Sequence, residues 1–146
     1  MLRRSTSDDG VVALEFALIV PLFLLLIFAT MAFALYFATF VAVIHGANEG
    51  ARASVGGIST AERGTLAKAS VQSIFGSYAP LLNPAHVVVD AQAASASMFR
   101  VTVSYPLSDL DFGAFYTLLA AASTDGKSGT RPTTIGYSVT VANGGY

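Results

Sequence analysis

The amino-acid sequence predicts an α+β protein. A long N-terminal transmembrane helix extends into a small extracytoplasmic head of one further helix and about three antiparallel strands. Three observations lead there. Residues 16–44, FALIVPLFLLLIFATMAFALYFATFVAVI, run without a charge. Residues 60–77 then set apolar side chains at helical spacing, and from His86 onward apolar residues recur every second position. The expected organisation is a polar leader over 1–10, a transmembrane and protruding helix over 11–57, and the head over 58–146.

The first element follows from the charge distribution. Hydrophobic residues make up 53% of the 146 and charged residues only 12%, against about 25% charged in ordinary soluble domains. The apolar surplus is concentrated before residue 45. A bilayer core about 30 Å thick needs about 20 helical residues, and the uncharged run exceeds that. It also exceeds the roughly 7–15 apolar residues of a cleavable secretory signal. Too little chain remains to bury such a helix in a soluble core. Arg3 and Arg4 precede the run and Arg52 is the nearest cation after it. Positive charge marks the cytoplasmic side, so the N-terminus is expected inside and the head outside. A net charge of −1 offers no basic patch for nucleic acid, and with no cysteine there is no disulfide framework.

The stretch GVVALEF, Gly10 to Phe16, sets one carboxylate at the mouth of the apolar run. A carboxylate there is costly and by default marks function. Two readings of Glu15 stand side by side. In one it is solvated at headgroup level. In the other the chain is cut after Gly10, and Val11 becomes a new ammonium terminus one helical turn from Glu15. Glycine suits a cut site because a residue without Cβ lets a protease approach the backbone closely.

A polar leader followed by Gly10, four apolar residues, Glu15 and Phe16 resembles the processing site of type IV prepilins. More closely, GVVALEFALIVPLFLLLIF and the later ANEGARASVG resemble the TadE-like family, small pilin-like proteins of Tad/Flp pilus systems. The resemblance covers about residues 10–57. It implies cleavage between Gly10 and Val11 by a prepilin peptidase, with Glu15 as fifth mature residue setting the register of one subunit on the next. It also implies a bacterial inner-membrane, single-pass protein whose partners are membrane lipid, other pilin-like subunits and the assembly platform, with a possible place in the pilus. The pair Asp8–Asp9 departs from the basic leaders usual in prepilins.

Pro21 has no N–H, so the Ala17 carbonyl loses its helical donor and a kink is expected nearby. Membrane helices tolerate this when neighbours compensate; the resemblance adds that local melting there eases extraction into a filament. Further along, Ala34, Ala38, Ala42, Gly46, Gly50 and Ser54 are all small and spaced by four. Such rows let helices approach closely, and this one continues past the apolar run. Glu49 and Arg52 are placed to pair on the helix surface.

The helix is expected to break at Gly56-Gly57. STAE, Ser59 to Glu62, is a capping-box pattern opening a second helix over about Thr60–Ser77. Leu66, Ala67, Ser70, Val71, Ile74, Phe75 and Tyr78 form its apolar face, for which the following strands are the expected cover. Pro80 and Pro84 mark the connection. The strands are HVVVDAQ, MFRVTVSY with Phe99, Val101, Val103 and Tyr105 inward, and IGYSVTVA with Ile135, Tyr137, Val139 and Val141 inward. An apolar stretch over Asp111–Ser123, read as a short helix or contact surface, and a polar loop over Ser123–Pro132 interrupt them. A head of this size is marginal alone.

Nothing in the sequence supports an enzyme. His45 and His86 are far apart, no phosphate loop or metal spacing occurs, and Asp109 and Asp111 are read as a solvated turn rather than a calcium site. No catalytic, cofactor or metal residue is therefore expected. The first functional reading is a minor pilin or pseudopilin that a peptidase cleaves. The alternative is an uncleaved bitopic accessory protein of a pilus or secretion platform. A pseudopilin of a type II secretion machine is a third reading, against which the GAR stretch at Gly50–Arg52 speaks.

Overall fold

The structure is a computed structural model that describes residues 8–110 and 133–142. The leader residues 1–7, the apolar stretch 111–123 and the loop that follows it to 132 lie outside the described residues. The element order is α1 (Asp8–Ser54), α2 (Thr60–Ser77), a 3-10 turn (Pro84–His86), β1 (Val88–Ser95), β2 (Met98–Pro106), a second 3-10 turn (Leu107–Leu110) and β3 (Thr134–Ala142). The arrangement is α+β, with one long apolar helix, one further helix and a three-stranded antiparallel sheet. The chain divides into two compact units, Met1–Ala34 and Leu35–Tyr146.

In the first unit every described residue is helical, and from Gly10 to Ala34 none is buried. Leucine, isoleucine and phenylalanine side chains point outward on all sides. A helix apolar all round needs an apolar environment. Its mean hydropathy reaches 2.8 over 18 residues, and α1 is long and apolar enough to cross a membrane. The helix runs through Pro21 without interruption. Thr30 satisfies its hydroxyl internally by donating to the Leu26 carbonyl at 2.8 Å.

The second unit holds the core. α2 begins at Ser59, whose side chain accepts from the Glu62 N–H at 3.2 Å. The reciprocal bond of the capping box is displaced by one residue: the Glu62 carboxylate accepts from the Ile58 N–H at 3.1 Å. Between the helices, Val55, Gly56 and Gly57 each donate to the carbonyl three residues back. α1 thus ends on tightened turns at Ser54, just ahead of the glycine pair. Gly57 is required by close approach, since a Cβ there would lie 2.7 Å from the Arg63 backbone nitrogen.

The sheet order is β1-β2-β3, all antiparallel. Phe99 pairs with Ala93 and Val141, Val101 with Ala91 and Val139, Val103 with Val89 and Tyr137. Cross-strand partners share a face, so these residues form the inner face that the alternation predicts. Its burial is uneven. Phe99, Val101, Val103 and Tyr105 are buried, as is Ile135, while Val139 and Val141 are half-buried and Tyr137 is exposed. Helix α2 lies over β1, where the Ala91 carbonyl comes within 3.6 Å of a Cβ placed at Gly64. A helix about 10 Å across spans about two strands at a spacing of about 4.8 Å, which leaves the far edge at β3 less covered. On the outer face the hydroxyls of Thr102 and Ser138 lie 2.8 Å apart and hydrogen-bond.

Candidate processing and packing site

Gly10 is the third residue of α1, not the residue before it, and a Cβ there would meet nothing within 4 Å. Val11 and Phe16 are about two-thirds exposed, and Glu15 is exposed too. On a helix Val11 and Glu15 share a face, one turn apart. The backbone nitrogen of Val11 and the Glu15 carboxylate are therefore on neighbouring turns of one exposed surface. Pro21 follows six residues on, within the same exposed stretch.

The small row is distributed differently. Ala34 is exposed, Ala38 half-buried, and Ala42, Gly46, Gly50 and Ser54 are buried. At Gly46 and Gly50 the cover is the protein's own α2. A Cβ at Gly46 would stand 3.2 Å from Phe75 Cε2, and one at Gly50 would stand 2.8 Å from Val71 Cγ2, 3.3 Å from the Ala67 carbonyl and 3.4 Å from Val101 Cγ1. The apolar face of α2 thus packs on α1 as well as on the strands, which the sequence reading had named as its cover. α2 buries the four-spaced row Arg63, Ala67, Val71 and Phe75, while Leu66 stays exposed. Two rows spaced by four, one of small and one of larger residues, interdigitate.

Phe75 also stacks on Tyr105, with ring centroids 5.7 Å apart and planes 16° from parallel. The Tyr105 hydroxyl accepts from the Asn83 N–H at 2.9 Å, tying the loop after α2 to β2. Arg63 is the residue that sequence reasoning missed. It is buried, and its Nε donates to the Gly57 carbonyl at 2.9 Å. Its place four residues before Ala67 was the available signal. Arg52 lies on the outside, pairing with Glu49 at 3.5 Å. Buried hydroxyls are satisfied within α1: Thr39 donates to the Leu35 carbonyl at 2.9 Å and Ser54 to the Ala51 carbonyl at 2.7 Å.

Among the described residues no three His, Asp or Glu side chains gather as a metal group would require. His45 lies on α1 and His86 in the turn before β1. Asp111 falls outside the described residues.

Residues 10–52 match the family model of TadE-like proteins. The match begins at Gly10 and closes at Arg52, so the TadE-like segment lies wholly within α1. It contains Glu15, Pro21 and the small row through Gly50. The second helix and the sheet lie outside it. No curated protein and no solved structure matches the chain. The chain is thus similar to TadE-like proteins over this N-terminal segment alone, 43 of its 146 residues.

Proposed function

We propose that the protein is a minor pilin- or pseudopilin-like structural component for biogenesis of a Tad/Flp-type pilus, processed by a prepilin peptidase. Hydrolysis of the Gly10–Val11 amide adds water across the bond. Gly10 leaves with a carboxylate, and Val11 gains an ammonium group. Glu15 then offers that charge, or a neighbouring subunit's, a partner one turn along. The single observation carrying this reading is the TadE-like match, which opens at Gly10 and takes in the Glu15 carboxylate at the mouth of the uncharged run 16–44. Proteases bind extended backbone, so the first turn of α1 must unwind at Gly10; glycine in a helix lowers that cost by roughly 0.5–1 kcal/mol. The protein sits in the inner membrane with residue 1 on the cytoplasmic side and the head outside, and its partners are the peptidase, other pilin-like subunits and the assembly platform.

The test is the intact mass of the chain from cells with and without the peptidase. Loss of residues 1–10 only with the peptidase is the expected result. Gly10→Ala should abolish it, and because a methyl group there meets open space, the loss would report recognition rather than folding. Glu15→Ala should be processed but fail to assemble. An unprocessed chain in assembled pili would overturn the proposal. A second reading, an uncleaved bitopic accessory protein, draws support from Gly46 and Gly50 being covered by the protein's own α2. An intact N-terminus in functional cells would favour it.

A further inference from the structure

The uncharged run of residues 16–44 spans 29 positions, about 43 Å of helix at 1.5 Å per residue. A bilayer's hydrocarbon core is about 30 Å thick, and about 40–45 Å with its headgroup layers. Twenty residues from Phe16 therefore fill the core and end at Leu35. Tyr36 to Ile44 come out at headgroup level. Fitting the whole run into hydrocarbon would need a tilt of about 45°, beyond the usual range of about 0–40°.

Two faces of α1 differ at that level. Thr39, Ala42 and Val43 are buried beneath the head, whereas Phe37 is 57% exposed and Phe40 39%. Phe37, Phe40 and Val41 recur at helical spacing on one side. The head reaches the same level from the other side. Phe75 packs at Gly46 and Ala67 at Gly50, so α2 runs antiparallel to the part of α1 within its own unit, residues 35–54, and its C-terminal end lies on the side of Tyr36–Ile44. The loop leaving that end is held to Tyr105 through Asn83 and presents Leu81, which is half exposed.

We infer that the end of the head formed by Phe37, Phe40, Val41 and Leu81 is a membrane-contact surface seated in the lipid headgroup layer. The occupant is lipid because the aromatic face is continuous with the candidate span and lies at the depth where amphipathic and aromatic side chains settle. The inference rests on the span being inserted, and not on cleavage at Gly10.

The absence of cysteine from the chain permits single labels. Full-length Phe37→Cys, Leu81→Cys, Leu25→Cys and Ile58→Cys, each carrying a small fluorophore, go into phosphatidylcholine vesicles. Ile58 is 97% exposed at the opposite end of α2 and serves as the aqueous reference. Labels at 37 and 81 should lose quenching by iodide and gain quenching by a lipid nitroxide placed near the headgroup, while the label at 58 keeps the iodide response. Iodide access at 81 equal to that at 58, with 25 protected, overturns the inference and leaves the span intact. Access at 25 removes both. Protection at 37 and 81 without nitroxide quenching, vanishing as the protein is diluted in lipid, would assign the surface to a second copy and also overturn the inference.

Discussion

Gly50→Ala and Gly76→Ala are the same chemical change at two helical glycines, and the structure sets them opposite consequences. Both replace a helical glycine, Gly50 inside α1 and Gly76 in the last turn of α2, so both gain helix propensity, up to roughly 1 kcal/mol at the interior position. At Gly76 the methyl group meets nothing within 4 Å, and that gain is realised. At Gly50 it would lie 2.8 Å from Val71 Cγ2, with the Ala67 carbonyl and Val101 closing the other sides. Valine is stiff at χ1, and the Ala67 backbone belongs to α2, so the helices themselves must separate. Overpacking of this kind costs about 1–3 kcal/mol. Because the propensity gain at Gly50 is no smaller than at Gly76, a lower midpoint for Gly50→Ala reports the steric cost. A change of 1 kcal/mol moves the midpoint of a domain of about 60–100 residues by roughly 4–8 °C. Gly50→Ala should therefore melt at least about 4 °C below Gly76→Ala. The full chain in detergent micelles is followed by near-ultraviolet tyrosine dichroism, which reads chiefly the head, since five of the six tyrosines lie outside the apolar run and only Tyr36 within it. Adding Val71→Ala to Gly50→Ala should recover part of the loss, a coupling expected of residues in contact. Equal midpoints, or strictly additive effects of the two substitutions, would refute the packing of Gly50 on Val71. The small row would then be free for another subunit.

Two further variants probe the joints of the head. Ser59→Ala removes the oxygen that accepts from the Glu62 N–H and should destabilise the head by about 1 kcal/mol, seen as a lower midpoint in the same melt. Tyr105→Phe keeps the ring stacked on Phe75 and removes the hydroxyl that accepts from the Asn83 N–H. It should cost about 0.5–1.5 kcal/mol, with faster amide exchange at Asn83 while exchange in β2 is unchanged.

Local signals were legible where one rule decided the outcome. Ser59 and Glu62 opened α2, and the spacing from Leu66 to Tyr78 carried it to Ser77. Alternation gave the three strands and the face of β2. Packing between elements was less visible. The row ending in Gly46, Gly50 and Ser54 announced a close helical contact, but spacing cannot name the partner, and that partner is α2 of the same chain. The burial of Arg63 was not legible because burying a guanidinium depends on an acceptor, the Gly57 carbonyl, supplied by a turn whose path the sequence does not show. Tyr137 alternates in step with its strand, yet exposure follows from how far the helices reach across the sheet. For Gly10 and Glu15, the pattern was readable because it is a local spacing. Whether a peptidase acts there depends on a second molecule.

The hydroxyls of Thr30 and Thr39 and the Asn48 amide are each returned to a carbonyl four residues back on the same helix. Each of these donors is met within the helix itself. A helix that has closed its own polar accounts can change solvent without breaking a hydrogen bond, passing from acyl chains to an equally dry bundle of side chains with little penalty. His45, Asn48 and the Glu49–Arg52 pair stand beyond the uncharged run; at its mouth stand the Glu15 charge and the Ala17 carbonyl, whose helical donor Pro21 lacks. Those two groups discriminate between environments, so at its N-terminal end the run is sensitive to which apolar medium surrounds it.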